Sequence, residues 1–174
     1  MRPTRWTVIT GAPCSGKTTV IRRLEQKGFR VVHEVARAII DGQMARGLSL
    51  EQIKSDPDRF ERGILERKLA IESDLPEDEE IFFDRGIPDS IAYFQIEGLD
   101  PAAPTAASRI RRYRRVWFFE RLSCEPDRAR TEDDALAARI EGLLLASYRR
   151  AGYGVTRSPV CPVAERVERI LKIR

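Results

Sequence analysis

Gly11-Ala12-Pro13-Cys14-Ser15-Gly16-Lys17-Thr18 reads G-x-x-x-x-G-K-T. It stands between a β-type run, Trp6 to Thr10, and a stretch in which Val20, Ile21 and Leu24 recur at helical spacing up to Gly28. A strand that feeds a glycine-rich turn opening a helix is the setting in which this spacing binds phosphate. Glycines let backbone N–H groups close around phosphate oxygens where a Cβ would hold them off. The helix N-terminus adds partial positive charge. The stretch is therefore a P-loop. Lys17 is expected to reach the β- and γ-phosphates as a point charge and the Thr18 hydroxyl to be a magnesium ligand. Gly11, Ala12, Pro13, Cys14, Ser15, Gly16 and Thr19 complete the expected nucleotide-binding set. Cys14 reads as a spacer, because a nucleophilic thiol needs a base partner and none is close in the sequence.

Outward from the loop, strand and helix patterns keep alternating. Arg30 to His33 reads as a second strand. Val35 to Ala45, a Ser49-x-x-Gln52 capping box and an Asp56-Pro57 start predict a long helical stretch to about Asp74. Ile81 to Asp84 is the third strand, Pro88 to Ile96 a helix, Thr105 to Tyr113 a further helix, and Val116 to Glu120 the fourth strand. Polar residues 121–130 form a loop. Thr131 and Asp134 then open a helix carrying Leu136, Ile140, Leu143, Leu144 and Tyr148 as far as Gly152. Gly154 to Pro159 is the fifth strand, and Pro162 starts a last helix with Val163, Val167, Ile170 and Leu171 inward. This alternation predicts an α/β fold of P-loop NTPase type: a five-stranded parallel sheet with helices on both faces, in one domain across residues 1–174. Ligands in such sheets bind at the carboxyl ends of the strands, here just after Thr10, His33, Asp84, Glu120 and Pro159.

The 174 residues, 42 % of them hydrophobic, suffice for one buried core and exclude a collagenous or disordered chain. Lys and Arg number 31 against 27 Asp and Glu, a net charge of +4 that tolerates anionic ligands without pointing to nucleic acid. Cys14, Cys124 and Cys161 are odd in number and far apart, which argues against a disulfide framework or a zinc site and for a reducing, cytoplasmic setting. Apolar runs such as Leu143 to Ala146 fall far short of the roughly 18 residues of a membrane span.

Several residues are expected to converge on the loop. Asp84, ending Ile81-Phe82-Phe83, can hold magnesium as a Walker-B aspartate does, and Arg85 beside it can grip a transferred or acceptor phosphate. Asp89 reads as a helix cap. Glu34 closes the second strand with Arg37 one helical turn on. The pair either presents a general base and a cation to a substrate or forms an ordinary intrahelical ion pair. His33 reads as packed or solvent-facing. Arg121, Arg128 and Arg130 lie in the polar loop, read as a lid near 121–131 that closes over nucleotide, with Arg130 beside the helix cap as its catalytic arginine. The run Arg109, Arg111, Arg112, Arg114 and Arg115 precedes the fourth strand, at the sheet edge opposite the phosphate site, and reads as a solvated helix face. Purine contacts are expected near Ser158 to Val163.

Gly11 to Thr18, Glu34-Val35-Ala36-Arg37, Asp84-Arg85-Gly86-x-Pro88-Asp89, Arg130 before a long helix and Tyr148-x-x-x-Gly152-Tyr153 together resemble the AAA-type P-loop family that includes nicotinamide-riboside kinase domains, which is related to deoxynucleoside and thymidylate kinases. The resemblance runs from Thr7 to about Leu171, and the E-x-A-R and D-R-G pieces are its more specific parts. It implies a kinase-like core binding ATP or GTP with Mg²⁺. Lys17 and Thr18 would lie at the phosphates, Asp84 at the metal, Glu34, Arg37 and Arg85 on the acceptor side, and Arg130 on the lid. The function so implied is transfer of the γ-phosphoryl group to a small nucleoside- or nucleotide-like acceptor. A nucleotide-dependent switch that binds a protein or anionic lipid through Arg109 to Arg115 is the alternative. Acceptor identity and oligomeric state are not written in these residues.

Overall fold

The computed structural model describes residues 1–122 and 131–173. In chain order its elements are β1 (Arg2–Pro3), β2 (Thr7–Thr10), α1 (Lys17–Gln26), β3 (Arg30–Val32), α2 (Val35–Met44), α3 (Leu50–Ile53), α4 (Pro57–Asp74), β4 (Ile81–Asp84), α5 (Ile87–Ile96), α6 (Ala102–Ala107), β5 (Arg111–Arg112), β6 (Arg115–Phe119), α7 (Thr131–Arg150), β7 (Val155–Ser158) and α8 (Val163–Lys172). Five strands form one sheet in the order β3-β4-β2-β6-β7, with every pairing parallel. β2 lies at the centre, flanked by two strands that come much later in the chain. Its carboxyl end, where the P-loop begins, is therefore the crevice of the sheet.

Strand side chains alternate between two cores, as a pleated strand buried on both faces requires. Ile9, Phe82, Trp117 and Phe119 pack against Val20, Ile21 and Leu24 of α1 and Val167 and Ile170 of α8. On the other face Val8, Ile81, Phe83 and Val116 meet Trp6, Tyr113, Tyr148 of α7 and Tyr153. Phe118 packs there with Ala92 of α5 and Ile140 and Leu144 of α7. The expected helical stretch to Asp74 is three helices. The Ser49–Gln52 capping box starts the single turn of α3, and Asp56 caps α4 by accepting from the Arg59 N–H at 3.0 Å, with Pro57 in its first turn.

The helix expected over Thr105–Tyr113 is corrected. α6 ends at Ala107, and Arg111–Arg112 pair in parallel with Arg2–Pro3 as a two-stranded ladder. Arg-Ile-Arg-Arg-Tyr has no apolar helical face to bury, but as a strand it places Arg111 and Tyr113 inward and Arg112 against an aromatic ring. Arg111 is buried, with its guanidinium over Trp6 at 5.7 Å and Nε donating to Glu77 at 3.1 Å. Arg112 lies 4.1 Å from the Tyr153 ring centroid and donates to the carbonyls of Ala151 and Gly152. Two of these five arginines are thus committed to packing at the starting end of the sheet, and the run is not a solvated helix face. Among the described residues no helix is long and apolar enough to cross a membrane.

Candidate functional site: a phosphate cradle beside a charged cleft

The loop after β2 turns through left-handed backbone at Cys14 (φ 60°) and Gly16 (φ 81°) before α1 starts at Lys17. Gly11 has φ 144°, and a Cβ there would lie 2.5 Å from the Phe119 carbonyl oxygen, so β6 tolerates only glycine at this approach. Lys17 is buried, and Nζ donates to the Gly11 and Ala12 carbonyls at 3.0 and 2.9 Å and to Ser15 Oγ at 3.0 Å. Burial first, then the Arg85 charge, lower its ammonium from 10.5 to about 7. Cys14 is exposed.

The Thr18 hydroxyl donates to Asp84 Oδ2 at 3.0 Å, while Asp84 Oδ1 is buried without a hydrogen-bond partner among the described residues. Burial, and after it the Glu34 charge, push the Asp84 carboxyl up. A hydroxyl and an orphaned carboxylate oxygen side by side fit a hard divalent cation, which takes oxygen ligands and would supply the missing partner.

Arg85 follows Asp84 with φ 72°, a conformation disfavoured for a non-glycine residue, and its N–H donates to the Ile9 carbonyl at 3.0 Å. Its guanidinium is pinned on three sides. Nε donates to Glu34 at 2.9 Å, Nη1 to the Gly11 carbonyl at 3.2 Å and to Asp89 at 3.1 Å, and the Tyr93 ring lies 5.3 Å away. Asp89 does cap α5, accepting from the Gly86 N–H at 2.9 Å, but it also accepts from the Thr10 and Tyr148 hydroxyls. Burial alone would raise its carboxyl. Arg85, Lys68 and the two hydroxyls outweigh that and hold it below the ordinary carboxylate range.

The Gly86 turn is held from every side. Lys68 Nζ donates to its carbonyl at 2.9 Å and to Ser90 Oγ at 3.1 Å, and the Ile87 N–H donates to Tyr113, whose hydroxyl in turn donates to Glu72. A Cβ on Gly86 would come within 2.9 Å of both Tyr113 and Tyr148, which explains the glycine after Asp84-Arg85. Lys68, Tyr113 and Tyr148 are site residues that sequence reasoning missed. The available signal was a pair of charges, Lys68 and Glu72, falling on the same α4 face as Ile64 and Leu65.

Glu34 stands at the N-terminus of α2 with its side chain 28 % exposed, on an open cleft of about 860 Å³ that Thr18, Arg22, His33 and Arg37 also line. Its partner is Arg85. Arg37 is exposed and reaches Asp41 at 4.0 Å instead, so the intrahelical Glu34–Arg37 pair does not form. His33 is exposed, with Nε2 3.1 Å from Glu25. Pro13 and Thr19 keep their places in the loop and in the first turn of α1. Arg128 and Arg130, and with them most of the expected lid, lie outside the described residues, whereas Arg121 is half-buried at the end of β6.

A further missed residue, Arg166 of α8, is buried behind the loop with its guanidinium 4.4 Å from the Phe119 ring centroid. It donates to the carbonyls of Ser15 (2.5 Å), Glu120 (3.3 Å) and Pro159.

The same architecture recurs in solved structures. NadR protein in complex with NR superposes with a TM-score of 0.65 at 16 % identity over 88 % of this chain and 45 % of that one, so this chain spans less than half the length of NadR. Deoxyadenosine kinase from M. mycoides gives 0.61 at 15 % identity over 97 % of both chains. Thymidylate kinase from Ehrlichia chaffeensis gives 0.67 at 11 % identity over 99 % of both. At such identities the likeness shows the fold alone. No curated protein sequence matches the chain. The model of the AAA domain family does match, over residues 6–166, and with a P-loop on the central strand of a sheet shared with nucleoside and nucleotide kinases the chain belongs to that family.

Proposed function

We propose that this protein is a kinase that transfers the γ-phosphoryl group of Mg·ATP to a small nucleoside- or nucleotide-like acceptor, residues 1–174 acting as one domain. The observation that carries the reading is the position of Glu34. It is a partly exposed carboxylate on a cleft large enough for a nucleoside, held by Arg85 and sharing that cleft with Thr18 of the phosphate loop. A plain ATPase has no need of a second ligand's space beside the cradle.

In this reading Lys17 leaves its loop carbonyls to contact the β- and γ-phosphates, and the backbone N–H groups of residues 11–18 surround the phosphate oxygens. Thr18 and Asp84 would hold Mg²⁺, which would neutralise phosphate charge there. The acceptor lies in the cleft with its hydroxyl against Glu34. As the hydroxyl oxygen bonds to the γ-phosphorus and the bond to ADP breaks, Glu34 takes the hydroxyl proton. Arg85 fixes the direction of Glu34, and Arg37 offers a cation to an anionic part of the acceptor. Arg130 is assigned to a lid over the nucleotide.

The test is a panel of nucleosides and nucleotides incubated with Mg·ATP and followed by mass spectrometry. One class of acceptor is expected to gain a phosphoryl group. Lys17→Ala is expected to abolish tight Mg·ATP binding, and Glu34→Gln to spare it while cutting turnover by about 10²- to 10⁴-fold. Turnover unchanged in Glu34→Gln removes Glu34 as the base.

A further inference from the structure

Arg166 takes no part in that mechanism, yet its surroundings are those of the phosphate loop rather than of an ordinary helix face. Among the described residues it makes four hydrogen bonds, all to main-chain carbonyls and none to a carboxylate. Nη1 donates to Ser15, Nη2 to Glu120 and Pro159, and Nε to Pro159. These carbonyls belong to the segments that leave β2, β6 and β7, so one side chain ties together three strand ends of the crevice. A guanidinium can do this because its wide, planar fork presents N–H donors in several fixed directions, a span that the compact point charge of an ammonium does not match. Burying such a cation against carbonyls alone is costly, and the Phe119 ring offsets part of that cost.

The bond to Ser15 has a specific effect. In a trans peptide the carbonyl and the following N–H point in opposite directions, and the chain has no cis peptide among its described residues. With its Ser15 carbonyl drawn back toward α8, the Ser15–Gly16 peptide must aim the Gly16 N–H forward, into the loop. That side of the peptide is crowded from behind. A Cβ on Gly16 would sit 3.3 Å from Arg166 Nη1. We infer that Arg166 is a positioning residue for nucleotide binding: it orients the Gly16 amide toward the polyphosphate and fixes the loop after β7 relative to the cradle. The inference rests on the reading of Gly11–Thr18 as a triphosphate site.

The test is calorimetry of the folded, full chain with Mg·ATP and separately with Mg·tripolyphosphate, for wild type, Arg166→Met and Arg166→Lys. Circular dichroism at the titration temperature verifies folding. Losing an oriented donor to a charged ligand is expected to raise Kd for both ligands about tenfold or more in Arg166→Met. Arg166→Lys keeps the charge without the fork and is expected to fall between, so it decides the matter should the Met variant not fold. A merely structural role would lower the melting temperature while leaving both dissociation constants of the folded protein within about twofold of wild type, and that result overturns the inference. Failure of wild type to bind either ligand instead overturns the triphosphate reading itself.

Discussion

Under the proposed function, nucleotide binding reverses a shift that Lys17 carries. Its ammonium sits near 7 because burial, and next the Arg85 charge, disfavour the protonated form. Phosphate oxygens supply the opposite charge and raise that value, so binding takes up a proton wherever the free lysine is neutral and the bound one is charged. At pH 8 the uptake is expected to be about 0.9 proton, with affinity falling as pH rises above 7 and little pH dependence from this group well below 7. Calorimetry in two buffers of different ionisation enthalpy measures it, and zero uptake at pH 8 contradicts the assignment. The sign for folding is opposite. Between about 7 and 10.5 the unfolded chain holds more protons at this site than the native one, so stability from Lys17 rises with pH. The spacing G-x-x-x-x-G-K-T made the placement of Lys17 and Thr18 at the start of α1 legible, because it follows from a local turn. Arg166 and Lys68 were not, because their partners lie 151 and 18 residues away and only the folded sheet brings them together.

α4 buries three ionisable side chains, Glu61, Lys68 and Glu72, in a stripe it shares with Ile64 and Leu65. Burial raises the Glu72 carboxyl to about 7, against the Tyr113 hydrogen bond, which lowers it. Between about 4.5 and 7 the native state therefore holds a proton that the unfolded chain has lost, and this contribution to stability disappears as pH rises through that window. Glu72→Gln keeps an acceptor for Tyr113 and removes the buried charge. Thermal unfolding is expected to show it more stable than wild type by about 1–3 kcal/mol at pH 8, with no gain at pH 5; equal melting at pH 8 rejects this account. At this scale the caps at Ser49 and Asp56 were readable because each rests on a bond three residues away, and the short core strands because their apolar runs are a local pattern even though their partners lie far along the chain. The Thr105–Tyr113 segment was not. A basic run with one tyrosine carries too little apolar pattern to announce a strand, which forms because Arg2–Pro3 supplies a parallel edge and Trp6 and Tyr153 supply faces for the guanidinium groups.

For the molecule as a whole, strand alternation and the position of the P-loop sufficed to predict a five-stranded parallel sheet, but not the order β3-β4-β2-β6-β7, which depends on which crossover passes which strand. Nor could they predict that Glu34 would meet Arg85, 51 residues later, rather than Arg37. Under the proposed function, Mg·ATP at a hundred times its Kd is expected to stabilise the fold by about 2.7 kcal/mol, visible as a higher melting temperature that Lys17→Ala abolishes. A melting temperature indifferent to Mg·ATP in wild type counts against the site. The hydrogen bonds that Lys17 makes to Gly11, Ala12 and Ser15 carry one more consequence. With Lys17 turned toward its own loop, any polyphosphate has to outbid three oxygens for that ammonium. Under the proposed function a single phosphate offers that ammonium fewer anionic oxygens than a triphosphate tail does, so the competition for Lys17 is expected to favour the longer tail.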